Sequence, residues 1–448
     1  MIREYLDNKP EVVAFSNYSW NRNLSIGIAT EIKRRDPSTL IIFGGPNYPL
    51  EDPVRERWFR TFPAVDVYAN GEGERPFQQL VDAWAETGSI EEVKRAGVDG
   101  CHALVDGKLF RTNDVTPRLA ALDEFPSPYV KGYLDEFLIE HKLIPLMETN
   151  RGCPFACTFC EKGVTAWNKI TFGPVERFRE ELRYVAERTS ASFLLLGDNN
   201  FGMFKEDIEF AQVMRDSYET YGFPTMISAG GTAKARYDRV LESVKVLKGA
   251  LPISVSVQSM DDAVLKNIKR KNLPFEKLLE IAADRYSDDS ATRTKGEMIL
   301  CLPGDTREKH VAGLCRLVDA GVSFMLVYTL ILLDGSELST EESRSKWSMK
   351  TMFRLNHRSF GSYEFGDTKV RAHEVEEVVV ALDSMPFEDY LECRSFYFTL
   401  GVFYLDEIVF ELLEFLKNFG IKTSDFIRYV HKEGRARFSP GLEKLYAS

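Results

Sequence analysis

Three cysteines stand close together on one short stretch of the chain, Cys153, Cys157 and Cys160, in the spacing CxxxCxxC. With 7 cysteines in 448 residues, a random arrangement would contain only about 0.002 such triplets. Three thiolates on one loop can bind three irons of a four-iron cluster and leave the fourth iron without a protein ligand. The spacing therefore predicts a [4Fe-4S] site with these three cysteines as metal ligands and one iron open to a small chelating molecule.

Two other uses of cysteine fit the pattern less well. A structural zinc site takes four ligands, usually from two paired spacings, and no second Cys or His pair follows the triplet. A disulfide framework is disfavoured because 7 is an odd number and the start of the chain, Met1–Tyr5, lacks the regions of a signal peptide. The remaining cysteines are scattered, and we predict buried thiols in a reducing cytoplasm: Cys101, Cys301, Cys315 and Cys393.

The loop from Arg151 to Gly163, with the aromatic Phe159 just before the third cysteine, resembles that of the radical S-adenosylmethionine (SAM) enzymes. In that family the amino and carboxylate groups of SAM bind the open iron. An electron from the reduced cluster then cleaves SAM to methionine and a 5′-deoxyadenosyl radical, which abstracts hydrogen from an unactivated carbon. The resemblance implies that Cys153, Cys157 and Cys160 are catalytic and that Phe159 belongs to the cofactor site.

Composition and charge fit a large soluble enzyme and disfavour two classes of partner. The formal net charge is −11 without any Lys/Arg tract, whereas nucleic-acid phosphates select for a basic face. No apolar run reaches about 18 residues, and acidic residues interrupt the nearest candidate, 396–416, as in an amphipathic helix. We therefore predict a cytoplasmic protein with no nucleic-acid partner and no membrane span.

The middle of the chain alternates short apolar runs with amphipathic stretches, which is typical of parallel strands joined by helices. The predicted strands are Leu143–Glu148, Phe193–Leu196, Thr225–Ser228, Ile253–Gln258, Glu297–Leu302 and Phe324–Tyr328. The predicted helices are Pro174–Arg188, Lys205–Tyr221, Ala235–Leu247, Pro274–Ala283 and Arg307–Ala320. The pattern predicts an α/β fold with a partial (βα)6 TIM-like barrel, although periodicity alone also fits a doubly wound open sheet. The family resemblance favours the barrel.

In such a barrel the reactive groups lie at the carboxyl ends of the strands. The resemblance implies that Asp198, Asn199 and Asn200, after the second strand, accept hydrogen bonds from the SAM amino group. A turn with a helix cap is the alternative for the two asparagines. Lys234, after the third strand, is a candidate partner for a carboxylate, and a solvated lysine is the expected alternative.

Polar residues also interrupt the fourth and fifth predicted strands. Ser256 and Gln258 are two residues apart and would point the same way, towards the SAM ribose and the substrate if the family pattern holds. Residues 264–270 resemble the helix that follows this strand in cobalamin-type radical SAM proteins. Glu297, on an otherwise apolar strand, is either a contact to SAM or substrate or a surface edge position.

Three strand-to-loop units precede the cysteine loop, at 12–16, 40–46 and 65–74. Glycine-rich loops at the carboxyl end of a parallel sheet let the backbone approach a flat or phosphate-bearing ligand. Placed before a radical SAM loop, these units resemble the incomplete Rossmann-like form of a cobalamin-binding domain, in which such loops line the corrin ring. The residues that this resemblance makes cofactor-binding candidates are Ser16, Gly44, Gly45, Pro46, Gly71, Glu72, Gly73 and Glu74.

Two features depart from a complete cobalamin-binding domain. The string DxHxxG, which supplies a histidine to cobalt in part of the subgroup, does not occur, and His102 lies beside a predicted hairpin that turns at Asp106-Gly107. The chain also opens directly into Val12–Ser16, so we expect a truncated or remnant domain without its first strand and helix. Because members of the subgroup can bind cobalamin without a histidine ligand, cobalamin use stays open.

The patterns divide the chain into four regions: a Rossmann-like cobalamin-binding-type domain at 1–118, a linker at 119–140, the radical SAM barrel at 141–340 and a mostly helical C-terminal region at 341–448. In the last region we predict a helix at 341–353, a loop at 358–363 and mainly helix from 372 onward. A helical cap over the barrel mouth would exclude water from a radical intermediate. His373 and Glu377, four apart on that helix, are a weak metal-ligand candidate because such pairs usually face solvent.

Three functions stay open on the sequence. The first is radical SAM chemistry with cobalamin-dependent methylation of a small-molecule or carbohydrate-like substrate, supplied with electrons by a donor such as flavodoxin or ferredoxin. The second is radical SAM rearrangement, dehydrogenation or cyclisation without cobalamin. The third is an iron–sulfur protein that only transfers electrons or senses redox state, which the barrel pattern and the missing fourth cysteine disfavour.

Overall fold

Alternating apolar residues build the sheet of the N-terminal part. In the strand Leu40–Gly44, Leu40 and Ile42 pack into one hydrophobic cluster, and Ile41 and Phe43 pack into another on the opposite face. A strand buried on both faces in this way is typical of a parallel sheet covered by helices. A computed structural model describes residues 1–230, 235–252, 254–274, 277, 295–322, 324–406, 408–434 and 437 of the chain.

The N-terminal sheet has the strand order β1-β2-β3-β4-β5, with β1, β2 and β3 parallel and the last two strands antiparallel. The predicted strands and the predicted turn at Asp106-Gly107 are confirmed. The strands are β1 (Val12–Ser16), β2 (Leu40–Gly44), β3 (Val67–Ala69), β4 (Cys101–Val105) and β5 (Lys108–Phe110). The helices are α1 (Ile2–Asn8), α2 (Arg22–Arg35), α3 (Asp52–Thr61), α4 (Glu74–Thr87) and α5 (Ile90–Arg95).

The six predicted strands of the middle region are confirmed as strands, and all but Phe193–Leu196 have ends shifted by a few residues. They form two parallel three-stranded sheets, which we call the first sheet, β6-β9-β10, and the second sheet, β11-β12-β13. A separate short ladder pairs β7 with β8. The strands are β6 (Leu146–Met147), β7 (Asn150–Arg151), β8 (Thr171–Phe172), β9 (Phe193–Leu196), β10 (Met226–Ser228), β11 (Ser254–Gln258), β12 (Lys295–Leu300) and β13 (Phe324–Thr329).

Helices follow the strands of both sheets, so the architecture of this region is α/β. Apolar residues of α7 and α8 pack on the first sheet, and those of α11 pack on the second. The helices are α6 (Asp135–Ile139), α7 (Val175–Ala186), α8 (Asp207–Tyr221), α9 (Tyr237–Val246), α10 (Asp262–Asn267) and α11 (Arg307–Asp319). Lys234 and almost all of the predicted helix Pro274–Ala283 lie outside the described residues.

The predictions of helix at 347–353 and 372–381 and of a loop at 358–363 are wrong. Helix α12 (Glu341–Lys346) is short, and a long antiparallel hairpin of β14 (Lys350–Phe365) and β15 (Thr368–Ala381) follows it. The glutamates of 374–377 have a local preference for helix, but Val375 and the run of valines at 378–380 prefer a strand. Pairing decides the outcome, because β15 also bonds to the segment after β13 through Val379 N to Leu330 O, at 2.9 Å.

Helices resume after the hairpin, as the sequence predicts. They are α13 (Phe387–Leu400), α14 (Phe410–Lys417) and α15 (Thr423–Tyr429), with π-helical turns at Gly401–Leu405 and Val430–Gly434. Throughout the part of the chain that the structure describes, no helix combines the length and apolarity needed to cross a bilayer.

Candidate active site

The three loop cysteines, Cys153, Cys157 and Cys160, lie on an excursion between β6 and α7. The β7–β8 ladder closes the base of this excursion, and the Cys153 N–H donates to Trp167 O at 2.8 Å. Gly152 has a φ of +116°, and a Cβ at this position would lie 2.2 Å from Lys169 O. Only glycine fits this close approach, so the residue before the first cysteine determines how the loop folds back.

Backbone hydrogen bonds dock the cysteine loop on the second sheet. The Thr158 N–H donates to Ile268 O at 3.2 Å, and the Leu338 N–H donates to Thr158 O at 3.0 Å. Phe159 is half-buried and packs against the hydrophobic cluster of the second sheet. The loop therefore follows β6 in the first sheet yet is held by segments that follow β11 and β13.

Side-chain N–H groups point at two of the three sulfurs. Asn200 Nδ2 donates to Cys153 Sγ at 3.3 Å, and Arg270 Nη1 donates to Cys157 Sγ at 3.9 Å. Cys153 and Cys157 are buried, and Cys160 is partly exposed. Hydrogen bonds to thiolate sulfur are the usual outer-shell support of an iron–sulfur cluster.

Asp198, Asn199 and Asn200 occupy three different environments. The buried carboxylate of Asp198 accepts from Thr149 N at 2.8 Å and from the side chains of Thr149 and Asn150, so it braces the start of the cysteine loop. Burial raises the pKa of Asp198 to about 6, against the effect of the hydrogen bonds from Thr149. Asn199 Nδ2 lies 3.4 Å from Gly152 O. Asn200 is buried, and its Oδ1 has no hydrogen-bond partner among the described residues.

Ser256, Gln258 and Glu297 come together where β11 meets β12. Ser256 and Glu297 are register partners, and Ser256 Oγ donates to Glu297 Oε2 at 2.5 Å. The alternative of an edge position for Glu297 is wrong, because β12 is the central strand of its sheet. The register shifts between Ser256 and Gln258, which interrupts the simple two-residue alternation, and Gln258 has a φ of +61°. Gln258 is buried, and its Oε1 has no partner among the described residues.

The N-terminal candidates lie at the carboxyl edge of the N-terminal sheet, and packing within the chain explains two of the glycines. A Cβ at Gly45 would lie 2.7 Å from Asn17 O, and one at Gly71 would lie 2.3 Å from Thr116 Oγ1. Both have a positive φ. A Cβ at Gly73, by contrast, would meet no atom within 4 Å. Close approach to a ligand is therefore not needed to explain Gly45 or Gly71.

The other members of this group also have partners within the chain. Ser16 Oγ accepts from Asn21 Nδ2 at 3.0 Å. Gly44 O accepts from Asn17 N at 2.6 Å, and Pro46 O accepts from Tyr48 N at 2.9 Å. These contacts order the loops after β1 and β2.

Glu72 and Glu74 connect the N-terminal sheet to the cysteine loop. Glu72 is buried and accepts from Arg118 Nε at 2.7 Å, while Arg118 Nη2 donates to Arg151 O at 3.2 Å. Glu74 Oε1 pairs with Arg151 Nη2 at 2.7 Å. Sequence reasoning assigned both glutamates to a corrin site, and the geometry gives them a joining role between the two parts of the chain.

Sequence reasoning missed a group of polar and aromatic residues between the cysteine loop and β1. Glu161 follows the third cysteine directly, and burial raises its pKa to about 7 although Lys162 opposes the shift. Lys162 Nζ lies 3.6 Å from the centre of the Trp167 ring. Trp20 is 56% exposed and stacks on Tyr18, with 4.4 Å between the ring centres. Adjacency to Cys160 was the available signal for Glu161.

Sequence reasoning also missed Arg270, although it is the last residue of the segment 264–270 that resembles the family's helix.

The histidines singled out in the sequence have other partners. His102 is buried, and its ring nitrogens bond to Tyr48 OH at 3.2 Å and to Asp114 O at 2.9 Å. His373 and Glu377 lie on β15 instead of a helix, and Glu377 pairs with Arg344 at 2.6 Å.

The three loop cysteines are the donor set that a four-iron cluster takes from a protein when one iron stays open. Within the described residues, no three side chains of His, Cys, Asp or Glu are grouped closely enough to hold a single metal ion. The cysteines of a four-iron cluster each bind a different iron, so they need not meet at one point.

Comparison with known proteins identifies the class of this site. Residues 147–336 match the radical SAM superfamily, and this range contains all three loop cysteines, Asn200, Ser256, Arg270 and Glu297. The chain therefore carries a radical SAM domain, and it resembles the subgroup that contains cobalamin-dependent methyltransferases.

Two curated relatives are similar over 98% of the chain. One is the cobalamin-dependent radical SAM methyltransferase TokK of Streptomyces tokunonensis, at 30% identity. The other is the 2-(S-pantetheinyl)-carbapenam-3-carboxylate methyltransferase of Streptantibioticus cattleyicolor, at 28% identity. The chain spans 62% of the length of each of these proteins.

Solved structures share the fold at lower identity. The radical SAM methyltransferase TsrM of Kitasatospora setae, solved with cobalamin and a [4Fe-4S] cluster, matches with a TM-score of 0.57 and 14% identity, over 80% of this chain and 69% of that one. The cobalamin-dependent radical enzyme OxsB matches with a TM-score of 0.58 and 15% identity, over 100% of this chain and 63% of that one. Both likenesses concern the fold alone.

Proposed function

We propose that this chain is a radical SAM enzyme that transfers a methyl group, with cobalamin, to carbon of a small molecule. The observation that carries the proposal is the cysteine loop, in which three cysteines are docked against the ends of both parallel sheets and two sulfurs accept side-chain N–H groups. The chain would bind a [4Fe-4S] cluster through Cys153, Cys157 and Cys160. The cluster would supply the electron that cleaves SAM, and cobalamin would carry the methyl group.

The chain's own residues would position SAM around the open iron. Asn200 Oδ1 and Gln258 Oε1 are buried acceptors without a partner among the described residues, and a buried orphan acceptor is costly unless a ligand satisfies it. We assign Asn200 Oδ1 to the SAM ammonium and Gln258 to the ribose side. Asp198 would act indirectly, by bracing Thr149 at the base of the loop.

The two parallel sheets would be halves of one partial barrel. Strands β6, β9 and β10 neighbour one another in one sheet, and β11, β12 and β13 do so in the other. Placing β11 beside β10 would give six strands with their carboxyl ends on one side, where reactive groups of such barrels lie. The regions 1–118, 119–140, 141–340 and 341–448 remain our domain assignment.

The carboxyl edge of the N-terminal sheet is the proposed corrin surface. Trp20 presents an exposed aromatic face there, and Gly73 leaves open space at the N-terminus of α4. Glu161 and Lys162 lie between this edge and the cysteine loop, as groups near both cofactors would. The cobalamin dependence named for TokK supports this assignment.

The acceptor would be a small molecule, and the carbapenam relative indicates the first one to test. A pantetheine-linked carbapenam carboxylate is the substrate in that protein's name, and the similarity extends over 98% of this chain. A one-electron donor such as flavodoxin or ferredoxin would reduce the cluster.

A matched pair of cysteine variants tests the proposal. After anaerobic reconstitution with iron and sulfide, the wild-type chain is given SAM and reductant, with and without cobalamin and acceptor. We expect 5′-deoxyadenosine, and with cobalamin and acceptor also S-adenosylhomocysteine. Cys157→Ala should lose both products, whereas Cys101→Ala, at a buried thiol in β4, should retain them.

The outcomes separate the alternatives. If 5′-deoxyadenosine forms at the same rate with and without cobalamin, the result would favour rearrangement, dehydrogenation or cyclisation over methylation. A Cys157→Ala protein that cleaves SAM at the wild-type rate would exclude the cluster assignment. A wild-type protein that binds the cluster but never cleaves SAM would favour an electron-transfer or redox-sensing protein.

A further inference from the structure

The two sulfur contacts differ in charge. Asn200 brings a neutral amide to Cys153 Sγ at 3.3 Å, whereas Arg270 brings a cation to Cys157 Sγ at 3.9 Å. A cluster becomes more negative when it is reduced, so a nearby cation and an N–H···S bond stabilise the reduced form. Asn200 supplies only the second of these effects.

The guanidinium of Arg270 is fixed in place by acceptors other than the sulfur. Its Nη2 donates to Ser256 O in β11, and its Nε donates to Asn272 Oδ1 at 3.1 Å. Asn272 is held in turn, because its Nδ2 donates to Ser259 O at 2.8 Å. Arg270 is only partly exposed. The cation therefore approaches Cys157 from a braced position of low solvent screening.

We propose that Arg270 is a positioning residue that raises the reduction potential of the cluster through its charge and its N–H···S bond to Cys157. The proposal rests on the proposed function, since it requires a cluster at the loop cysteines. It adds a role in electron uptake to a residue outside the cysteine motif. Arg270 makes it easier for the donor to reduce the cluster. Ser256 and Asn272 keep the guanidinium beside Cys157.

The test compares three substitutions at neighbouring positions. Arg270→Gln removes the charge, Arg270→Lys keeps it, and Lys269→Gln removes the same charge from an exposed side chain that pairs with Glu337. Each reconstituted protein is titrated without SAM, and the reduced cluster is followed by electron paramagnetic resonance and absorbance. We expect a more negative midpoint potential for Arg270→Gln, a smaller shift for Arg270→Lys and no shift for Lys269→Gln.

An unchanged midpoint potential in a fully iron-loaded Arg270→Gln protein would overturn the proposal. A merely structural role would lower iron content without moving the potential of the clusters that form. An Arg270 that served only to bind the SAM carboxylate would change SAM binding and leave the SAM-free potential alone. Failure of the wild-type chain to bind iron and sulfide would instead contradict the proposed function.

A measurement on the wild-type side chain covers the case in which Arg270→Gln does not fold. Protein labelled with 15N-arginine is reconstituted, reduced without SAM and studied by pulsed paramagnetic resonance. We expect a weak 15N coupling to the cluster spin, which disappears in labelled Arg270→Lys protein. Absence of this coupling in the wild type would also overturn the proposal.

Discussion

At the scale of single residues, burial raises the pKa of the four cysteines outside the loop: Cys101, Cys301, Cys315 and Cys393. Burial raises the pKa of Cys101 to about 12 and that of Cys393 to about 12, so both thiols stay protonated at neutral pH. A thiolate is the form that binds metal. The sequence could predict that these four cysteines are buried thiols, because they are scattered and lack the spacing of the loop triplet. It could not predict Arg270, whose contact with Cys157 joins residues 113 apart in the chain.

Titration of His102 gives a residue-scale prediction. Burial, assisted by Arg55, lowers its pKa from about 6.5 to about 4, so the unfolded chain takes up the proton first as the pH falls. The stability contribution of neutral His102 is present above about pH 6.5 and is lost towards pH 4. We expect urea unfolding to show a fall in stability between pH 7.5 and pH 5, and a smaller fall for His102→Gln.

The control is His141→Gln, at an exposed position paired with Glu136. It should leave the wild-type pH dependence intact. An equally steep fall in His102→Gln would mean that another group causes the loss of stability in acid.

At the scale of elements, local patterns predicted what local interactions decide. Strand Phe193–Leu196 has the predicted ends, and the hairpin at Asp106-Gly107 forms because both residues accept a positive φ. The hairpin of β14 and β15 was missed because its stability comes from partners distant in sequence. The proposed joining of both sheets into one barrel would also depend on distant contacts, which periodicity does not encode.

The cysteine loop gives an element-scale prediction. Gly152→Ala would place a Cβ against Lys169 O at a residue with a φ of +116°, so the loop should no longer fold back over its base. We expect a marked loss of bound iron after reconstitution, with little change in helix and strand content by circular dichroism. The matched control is Gly173→Ala, where the nearest atom to the added Cβ is 3.6 Å away. Full iron binding by Gly152→Ala would show that the loop tolerates another path.

At the scale of the whole molecule, the C-terminal hairpin ties the two ends of the fold together. Its β15 strand bonds to the segment after β13, while Phe365 and Val370 join a hydrophobic cluster of the N-terminal sheet. The buried carboxylate of Glu374 accepts from Asn23 N at 2.9 Å and from Leu24 N at 2.8 Å, so it caps α2. Residues about 350 positions apart thus meet, which no local pattern could predict.

Removal of this cap gives a whole-molecule prediction. Glu374→Ala leaves two N–H groups of α2 without their acceptor and should lower the free energy of unfolding by about 1 to 2 kcal/mol. Urea unfolding measures the change. Glu364→Ala is the control on the same hairpin, because Glu364 is exposed and pairs with Lys369 at the surface. Equal effects of the two substitutions would argue against the capping role.

The central claim is that the loop cysteines bind a four-iron cluster with one iron open to SAM. Anaerobically reconstituted protein should contain about four irons and four labile sulfides per chain. Its reduced cluster should give a paramagnetic resonance spectrum that changes when SAM is added. Stoichiometric zinc without labile sulfide, or a cluster spectrum that SAM leaves unchanged, would contradict the account.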